Sequence, residues 1–574
     1  MSGRSYRPVR WGRTRNHGCA VAPFGPGEAR GVTTIPGPAA FAARGTAMPG
    51  APSGIPAQPR DDVSPPAPSA DPGDDVYVIR ALTPLAAREA NRSAVTALLD
   101  TVGVPHFAVR GTSDHGTVVA VPEDDRERVL NLLFRGLGQF PGHLSTAQPE
   151  QVRQAPPLSS RDAKAWRDVR TAAALQVSWT RADPGRHLLL GHEYGCAIEF
   201  WRRQGSHLVA PRANRVTWAV SEQGANVLGA ARLFSRFISD WTRTGSTPAL
   251  STRPEFLVEL ADEITFPVDA VYTWVDGNDP AWQQRKASAK GEVYHAESAS
   301  DARFISRDEL RYSVRSLHLF APWIRNIYIA TDDQVPAWMR EDVPGIQVVS
   351  HREIFRDPTD LPTFNSHSIE SQLHHIDGLS EHFLYFNDDM FIGRPVTPYS
   401  FFTPGGVARY FPSRNRIPQG PVVETDTPVD AACKNNRALL LERFGRVITQ
   451  PMEHIPYALR RSAIEEAEAD FPQAWARTSA SRFRAMTDLS PTSSFAVYYA
   501  ALTGRAQPSS MPFTYLQLAV PDLADRLQRL LDGRSQDSFC LNDAFSTPED
   551  IEAQQELLDG FLNGYFPTPS PYER

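Results

Sequence analysis

Three apolar runs in the middle of this chain each end in acidic residues, and this repetition constrains the fold more than any other feature. Residues 383–391 read FLYFNDDMF, residues 266–279 read FPVDAVYTWVDGND, and residues 326–333 read NIYIATDD. Short continuous apolar runs bounded by polar residues are typical of buried strands. The pattern therefore predicts three strands that carry carboxylates at their carboxyl ends.

Helical patterns lie between these strand candidates. Residues 306–309 read SRDE, which predicts a capping box opening a helix with Leu310, Val314 and Leu317 on one face. Residues 366–376 predict a second amphipathic helix. Strands that alternate with helices favour a twisted, mostly parallel sheet, and right-handed crossovers bring its carboxyl ends to one edge. We therefore expect a Rossmann-like or GT-A-like α/β fold that binds its ligand at that edge.

Composition divides the chain into four regions. We predict a disordered Pro-, Gly- and Ala-rich N-terminus at 1–75, an α+β accessory domain at 76–255, the strand-rich region at 266–404, and a helical half at 405–574. In the accessory domain the predicted strands are 76–82, 116–121, 186–191, 197–201 and 216–220, and the predicted helices are 87–102 and 232–242. In the last region the predicted helices are 432–446, 462–471, 493–503, 521–531 and 548–562.

Charge and cysteine usage exclude several classes of protein. The 574 residues are 41% hydrophobic and carry a net charge of −7, so a nucleic-acid partner is not expected. The four cysteines are widely spaced and form no CxxC motif, which disfavours a zinc site or a disulfide framework and favours a reducing cytoplasm. No apolar run of about 18 residues occurs, so no transmembrane helix is predicted.

The adjacent carboxylates Asp388 and Asp389 are the strongest candidates for chemistry. Two charges at the end of a buried strand are costly unless they are neutralised, and a divalent cation that holds a phosphorylated substrate would neutralise them. The alternative is a solvated turn. His454 in a Pro-flanked loop and Arg484 before a predicted helix are further candidates, although each residue type is common on solvated surfaces. Residues 538–543, SFCLND, repeat the apolar run that ends in Asn-Asp.

Four ordered segments resemble those of the Stealth family of hexose-1-phosphate transferases. They are DAVYTWVDGNDP at 269–280, RDELRYSVRSL at 307–317, FLYFNDDMF at 383–391, and FCLND at 539–543. Members act in bacterial capsule and exopolysaccharide synthesis, and the catalytic subunit of the lysosomal-enzyme N-acetylglucosamine-1-phosphotransferase is related to them. The resemblance covers about 266–574, including FPTPSPYE near the end, and leaves the accessory domain unexplained.

The resemblance implies a chemistry. A sugar-1-phosphate would pass from a nucleotide-sugar, such as UDP-N-acetylglucosamine, to a hydroxyl of a glycan or polysaccharide acceptor, with release of nucleoside monophosphate. Mg²⁺ or Mn²⁺ would be the cofactor. The region 266–404 would bind the nucleotide-sugar and the metal. The protein would be cytoplasmic, with any membrane contact peripheral at the inner face or through the envelope-polysaccharide machinery.

The resemblance also implies roles for single residues. Asp388 and Asp389 would bind the metal, His454 would be the base that accepts the acceptor's proton, and Arg484 would close on the donor. The expected substrate-binding residues are Asp269, Arg311, Arg315, Glu370, Ser366, Asn542 and Asp543. The arginine fork suits phosphates, but Arg311 and Arg315 could instead pair with acids such as Asp308.

Two other functions stay open at this point. A metal-dependent glycosyltransferase would use a similar nucleotide-sugar half but would release nucleoside diphosphate. A non-catalytic carbohydrate-binding protein would be expected to have lost its charged residues at the strand ends. A polyanionic acceptor would need a local basic groove, which we expect along Arg409, Arg414, Arg416, Lys434 and Arg437.

Overall fold

The structure is a computed structural model, and it describes residues 75–147, 158–242, 249–289, 306–543, 546 and 548–574. The predicted disordered N-terminus lies, up to residue 74, outside the described residues. The described chain is a mixed α/β protein with several sheets, which confirms the predicted fold class at that level. Its GT-A-like character stays a prediction.

The first region has its own sheets and helices. In its described part, a 10-stranded and a 3-stranded sheet form. The helices are Pro84–Thr101, Arg126–Gln139 and Ala163–Val169. The strands are Val76–Val78, Phe107–Ala108, Thr117–Pro122, His143–Thr146, Leu158–Ser159, Ala174–Ser178, Thr180–Ala182, Leu189–Leu190, Cys196–Gln204, His207–Val209, Ala219–Ser221, Val227–Gly229 and Leu250–Thr252. The helix predicted at 232–242 is wrong, because only the 3₁₀ turn Ala231–Phe234 forms there.

A five-stranded central sheet follows, counted over the described residues. Its spatial order is Ile346–Ser350, Ile327–Thr331, Val268–Thr273, His382–Asn387 and Tyr457–Arg460. The first four strands are parallel and the last is antiparallel to its neighbour. All three strand candidates therefore lie side by side, and Thr273 pairs with Asn387 at one edge. This shared edge brings the predicted acidic ends together.

Helices cover the sheet and complete the second half. Over the described residues they are Pro280–Ala289, Glu309–Phe320, His351–Ile354, Ser366–Glu370, Pro428–Phe444, Arg461–Asp470, Pro472–Ser479, Ala496–Leu502, Leu523–Gly533 and Pro548–Tyr565. The second half is not only helical. The strands Phe513–Gln517 and Ser538–Asn542 form a small sheet with Met390–Ile392, and Ala408–Tyr410 pairs with Ala506–Pro508. The predicted helical half therefore also contains short strands, which the prediction did not include.

The capping box predicted at Ser306 does not form. Asp308 adopts a left-handed conformation, with φ of 63°, and the helix begins one residue later at Glu309. The Glu309 carboxylate accepts a hydrogen bond of 2.6 Å from the backbone N–H of Arg307. The turn at Asp308 therefore directs the Glu309 side chain into the protein, where it is buried.

One hydrophobic core joins the first region to the central sheet. Leu82, Leu188 and Phe237 of the first region belong to the same buried cluster as Val271 and Phe386 of the sheet. Burial of apolar side chains is the main stabilising contribution to folding. The two regions therefore stabilise each other. Among the described helices, none is long and apolar enough to cross a membrane.

Candidate active site

The site lies where the strand His382–Asn387 ends. After a two-residue turn the chain continues as Met390–Ile392, which pairs antiparallel with Ser538–Asn542. Met390 lies opposite Cys540, and the backbone N–H of Leu541 donates to the carbonyl oxygen of Asp389 at 3.0 Å. This pairing fixes the Asp388–Asp389 turn against the second strand.

Three side chains from distant segments converge on Asp389. His454 Nε2 lies 3.5 Å from Asp389 Oδ1. The Cys540 thiol and the Asn542 amide both donate to Asp389 Oδ2, at 3.2 and 3.3 Å. Burial opposes ionisation of Asp389, but the nearby His454 outweighs it, so the pKa of this carboxyl is lowered from 3.8. Asp389 is therefore ionised at neutral pH.

Both ring nitrogens of His454 have polar neighbours. Its Nδ1 lies 3.3 Å from the Tyr457 hydroxyl oxygen, and the Asn387 Nδ2 lies 3.3 Å from its Nε2. Nε2 therefore faces the Asn387 amide and the Asp389 carboxylate at the edge of the sheet. A histidine that carries its proton on Nδ1 can accept a second proton at Nε2. The orientation suits a general base.

Asp388 and Glu309 add two further carboxylates. Burial, then the charges of Asp389 and Glu309, raises the pKa of Asp388 well above 3.8. Burial raises the pKa of Glu309 from 4.5 to about 7. Glu309 was missed as a site residue because the sequence assigned it to a helix cap. Its nearness to Asp388 depends on the turn at Asp308, which no periodicity reveals.

This carboxylate group suits a divalent cation. The Oδ1 atom of Asp389 is buried and makes no hydrogen bond within the described residues. Buried carboxylates that repel one another are stabilised by a cation, and Mg²⁺ and Mn²⁺ prefer oxygen ligands. Asp388 and Asp389 would be the ligands, with Glu309 close to them. Asp389, His454 and Cys540 also have potential ligand atoms within 4.8 Å of one another.

A pair of tyrosines lies between the carboxylates Asp388 and Asp389 and the predicted donor-binding residues. The rings of Tyr385 and Tyr457 stack with their centroids 5.9 Å apart. Burial, then the charge of Glu370, raises the pKa of Tyr385, while the Arg484 charge opposes the shift. Arg484 donates to Ser366 Oγ at 2.7 Å. The structure therefore brings Glu370, Ser366 and Arg484 into one neighbourhood beside the centre.

Glu370 is held by the segment that starts the helix Ala496–Leu502. Its Oε2 atom accepts from the backbone N–H and hydroxyl of Thr492, at 3.3 and 3.0 Å. The same oxygen accepts from the N–H and hydroxyl of Ser493, at 3.2 and 2.9 Å. Glu370 therefore fixes this segment against the helix Ser366–Glu370.

The structure does not bring Asp269 to the site. Asp269 pairs with Phe383, four positions before Asn387, so it lies toward the opposite end of the strands. Its carboxylate is fully buried and forms a two-pronged ion pair with Arg325, at 2.8 and 2.5 Å. It also accepts from the N–H of Ser380 at 2.8 Å. Asp269 therefore has a structural role in this ion pair, and its expected role in substrate binding stays a prediction.

Arg311 and Arg315 lie on one helical face, as predicted, but both contact Glu573. Arg311 Nε lies 2.7 Å from Glu573 Oε2, and Arg315 Nη2 lies 2.7 Å from the same oxygen. Asp308 is a weaker partner of Arg311, at 3.8 Å. The structure therefore places these arginines in an ion-pair network, the alternative left open by the sequence, and their expected role with phosphates stays a prediction.

Asp543 and two residues of the expected basic groove also form ion pairs or carbonyl contacts, and their expected roles stay predictions. Asp543 follows Asn542 toward the site, but its carboxylate pairs with the buried Arg307 at 2.6 Å. In the basic groove expected for the acceptor, Lys434 pairs with Asp426 at 2.7 Å. Arg437 donates to the backbone carbonyls of Pro418 and Gly420, both at 2.8 Å. Lys434 and Arg437 therefore stabilise the fold locally.

Comparison with known proteins identifies the family of this chain. Four models of Stealth conserved regions match: region 1 at 266–294, region 2 at 303–410, region 3 at 453–501 and region 4 at 528–574. A Streptomyces coelicolor relative named exopolysaccharide phosphotransferase SCO6021 is 80% identical over 512 residues, which cover 89% of this chain and 95% of the relative. This chain belongs to the Stealth family.

Other relatives are more distant. The S. coelicolor exopolysaccharide phosphotransferase SCO6023 is 49% identical over 88% of this chain and 85% of its own. The Mycobacterium tuberculosis exopolysaccharide phosphotransferase CpsY is 45% identical over 55% of this chain and 59% of its own. The Stealth regions coincide with the site: region 2 contains Asp388 and Asp389, region 3 contains His454, and region 4 contains Cys540 and Asn542.

Proposed function

We propose that this chain is a phosphotransferase of exopolysaccharide synthesis that transfers a sugar-1-phosphate from a nucleotide-sugar to a glycan hydroxyl. The observation that carries the proposal is the convergence of Asp388, Asp389 and His454 at one sheet edge, in a chain whose relatives are named exopolysaccharide phosphotransferases. A divalent cation held by these carboxylates, beside a histidine base, would favour attack on an anionic phosphorus.

His454 and Asp389 would have separate roles in such a transfer. Nε2 of His454 would accept the proton of the acceptor hydroxyl, whose oxygen forms a new bond to the sugar-bearing phosphorus. The bond from that phosphorus to the bridging oxygen breaks, and the nucleoside monophosphate leaves with that oxygen. Asp389 beside His454 would stabilise the imidazolium that forms, because an ionised carboxylate favours a nearby positive charge.

Asp388 and Asp389 would hold Mg²⁺ or Mn²⁺. When bound, such an ion supplies Lewis-acid polarisation of the phosphate and offsets its negative charge. Arg484 would orient the donor phosphates through its guanidinium fork, from the position that its bond to Ser366 defines. Asn542 would keep Asp389 in place through its amide.

The test is to identify the nucleotide product. The purified chain is incubated with a panel of nucleotide-sugars and Mg²⁺ or Mn²⁺, with and without a glycan acceptor. We expect nucleoside monophosphate, and we expect Asp389→Asn to lower its release by at least about 100-fold. Asp342→Asn is the matched control, because this exposed carboxylate pairs with Arg340 at the surface and its loss should leave the rate unchanged. Nucleoside diphosphate would instead indicate a glycosyltransferase and refute the proposal.

A further inference from the structure

A second group of potential metal ligands lies outside the candidate active site. His374 and His375 form part of the 3₁₀ turn Leu373–His375, and Glu468 lies on the helix Arg461–Asp470. Their ligand atoms all lie within 4.8 Å of one another. Over the described residues, this group and the Asp389 group are the two sets that meet this distance.

The distances between these ligand atoms suit an ion with tetrahedral coordination. His374 Nε2 lies 2.7 Å from Glu468 Oε2, and His375 Nε2 lies 3.4 Å from the same oxygen. Ligands on Zn²⁺ at about 2.0–2.1 Å and tetrahedral angles are roughly 3.3 Å apart. A small outward movement of His374 would therefore allow all three atoms to coordinate one ion.

The hydrogen bonds of His375 favour a cation between its ring and the carboxylate. His375 Nδ1 lies 3.0 Å from the carbonyl oxygen of Ile354, which can only accept, so Nδ1 carries a proton. A neutral His375 then points the lone pair of Nε2 at the Glu468 oxygen, which also bears lone pairs. A metal ion resolves this conflict, and a ligating histidine typically donates its other N–H to a backbone carbonyl.

Glu468 also has the surroundings of a ligand. Its other oxygen, Oε1, lies 3.2 Å from Arg356 Nη1, which leaves Oε2 directed at the two histidines. Ligating carboxylates are commonly hydrogen-bonded in this way through their second oxygen. His374 is buried, whereas His375 and Glu468 are partly exposed, so an ion could enter from solvent and keep a water as its fourth ligand.

We propose that His374, His375 and Glu468 bind a divalent transition-metal ion. The imidazole and carboxylate ligands favour Zn²⁺ as this ion. Two histidines and one glutamate with an open position form a known type of zinc site. The ion would join the turn that follows Glu370 to the helix that follows the His454 segment. It would thus brace both sides of the candidate active site. This inference is independent of the proposed function.

The test measures metal binding by the full chain. The protein is stripped with a chelator, dialysed against Zn²⁺, and analysed for bound zinc by mass spectrometry. We expect His375→Ala and Glu468→Gln each to weaken zinc binding at least tenfold. Glu466→Gln is the matched control, since this carboxylate on the same helix pairs with Arg505, and it should bind zinc as the wild type does. Equal binding by the wild type and Glu468→Gln would overturn the proposal.

Cobalt substitution tests the same site in the unaltered chain. Co²⁺ bound by nitrogen and oxygen should give visible absorption bands without a thiolate charge-transfer band. A Co²⁺ spectrum that is unchanged in Glu468→Gln but loses a thiolate band in Cys540→Ser would assign the ion to the Asp389 group and overturn the proposal. Absence of any bound metal would overturn it too.

Discussion

Nε2 of His454 lies 3.5 Å from Oδ1 of Asp389, although the two residues belong to different conserved regions and are joined only through the fold. The central sheet creates this approach, because the strand Tyr457–Arg460 pairs antiparallel with His382–Asn387. The loop before one strand therefore meets the turn after the other. His454 and the carboxylates Asp388 and Asp389 therefore share one edge of the sheet.

His454→Gln should lower the rate of nucleoside monophosphate release by about 10²–10⁴-fold, the usual contribution of a general base. Glutamine retains a polar side chain toward Tyr457 but cannot accept a proton at neutral pH. Steady-state kinetics with a saturating donor would measure the effect on kcat. His207→Gln, at an exposed histidine of the first region, serves as the control and should leave kcat unchanged. A His454→Gln enzyme with full kcat would show that another group takes the proton.

Glu370→Ala should destabilise the fold by at least about 2 kcal/mol, because four donors from Thr492 and Ser493 lose their acceptor. Urea denaturation followed by tryptophan fluorescence would give the free energy of unfolding. Glu465→Ala is the control, because Glu465 is half exposed and lies 3.7 Å from Arg461, and it should cost under about 0.5 kcal/mol. Equal stability of the two variants would contradict the structural role of Glu370.

Glu573→Gln should destabilise the protein by about 3–5 kcal/mol at pH 7, because it leaves the buried Arg315 without its carboxylate. Burial opposes ionisation of Glu573, but its bonds to Arg315, Ser570 and Arg311 outweigh it and lower its pKa from 4.5. A carboxyl group whose pKa is lower in the folded than in the unfolded protein stabilises the fold at pH values above its unfolded pKa. This contribution is lost as the pH falls through its folded pKa. The difference between the wild type and Glu573→Gln should therefore shrink below pH 4.5.

Denaturation of both proteins between pH 3 and pH 7 would measure this trend. A difference in the free energy of unfolding that stays constant across the range would contradict an ion-pair origin. Arg352→Gln provides a comparison, because its pair with Asp333 is solvent-exposed and should contribute under about 1 kcal/mol.

Phe237→Ala in the first region should destabilise the whole described unit by about 3–5 kcal/mol, as expected for a buried aromatic side chain. Because Phe237 belongs to the same core as the central sheet, we expect one unfolding transition with a lowered midpoint. Leu228→Ala is the control, since this side chain is 73% exposed and should shift the midpoint little. Two separate transitions in calorimetry would show that the first region unfolds by itself.

Three strands of the central sheet were predictable, because each is a short apolar run with a sharp polar end, whereas Ile346–Ser350 and Tyr457–Arg460 were not predicted. The same property located Asp388 and Asp389, which directly follow such a run. Asp269 shows where this reasoning stops. It lies inside its apolar run, and only the pairing with Phe383 reveals that it is near the other end of the sheet. Register between strands is a property of the fold and is not encoded in a local pattern.

Partners far apart in sequence account for the other differences. Helical spacing placed Arg311 and Arg315 on one face, but Glu573 could not be identified as their partner by any local pattern. Cys540 gave no signal either, because its neighbours at the site belong to other segments. The helix predicted at 232–242 failed since tertiary packing of Phe234 and Phe237 overrode its amphipathic pattern.

The ion pair of Arg315 with Glu573 spans 258 positions, and that of Arg307 with Asp543 spans 236. Contacts between such distant positions form slowly, because a long loop must close first. During synthesis the helix Glu309–Phe320 is made long before residue 573, so its arginines lack this carboxylate until the last residues have been added. Formation of the ion pairs of Asp543 and Glu573 is therefore expected to be a late event in folding.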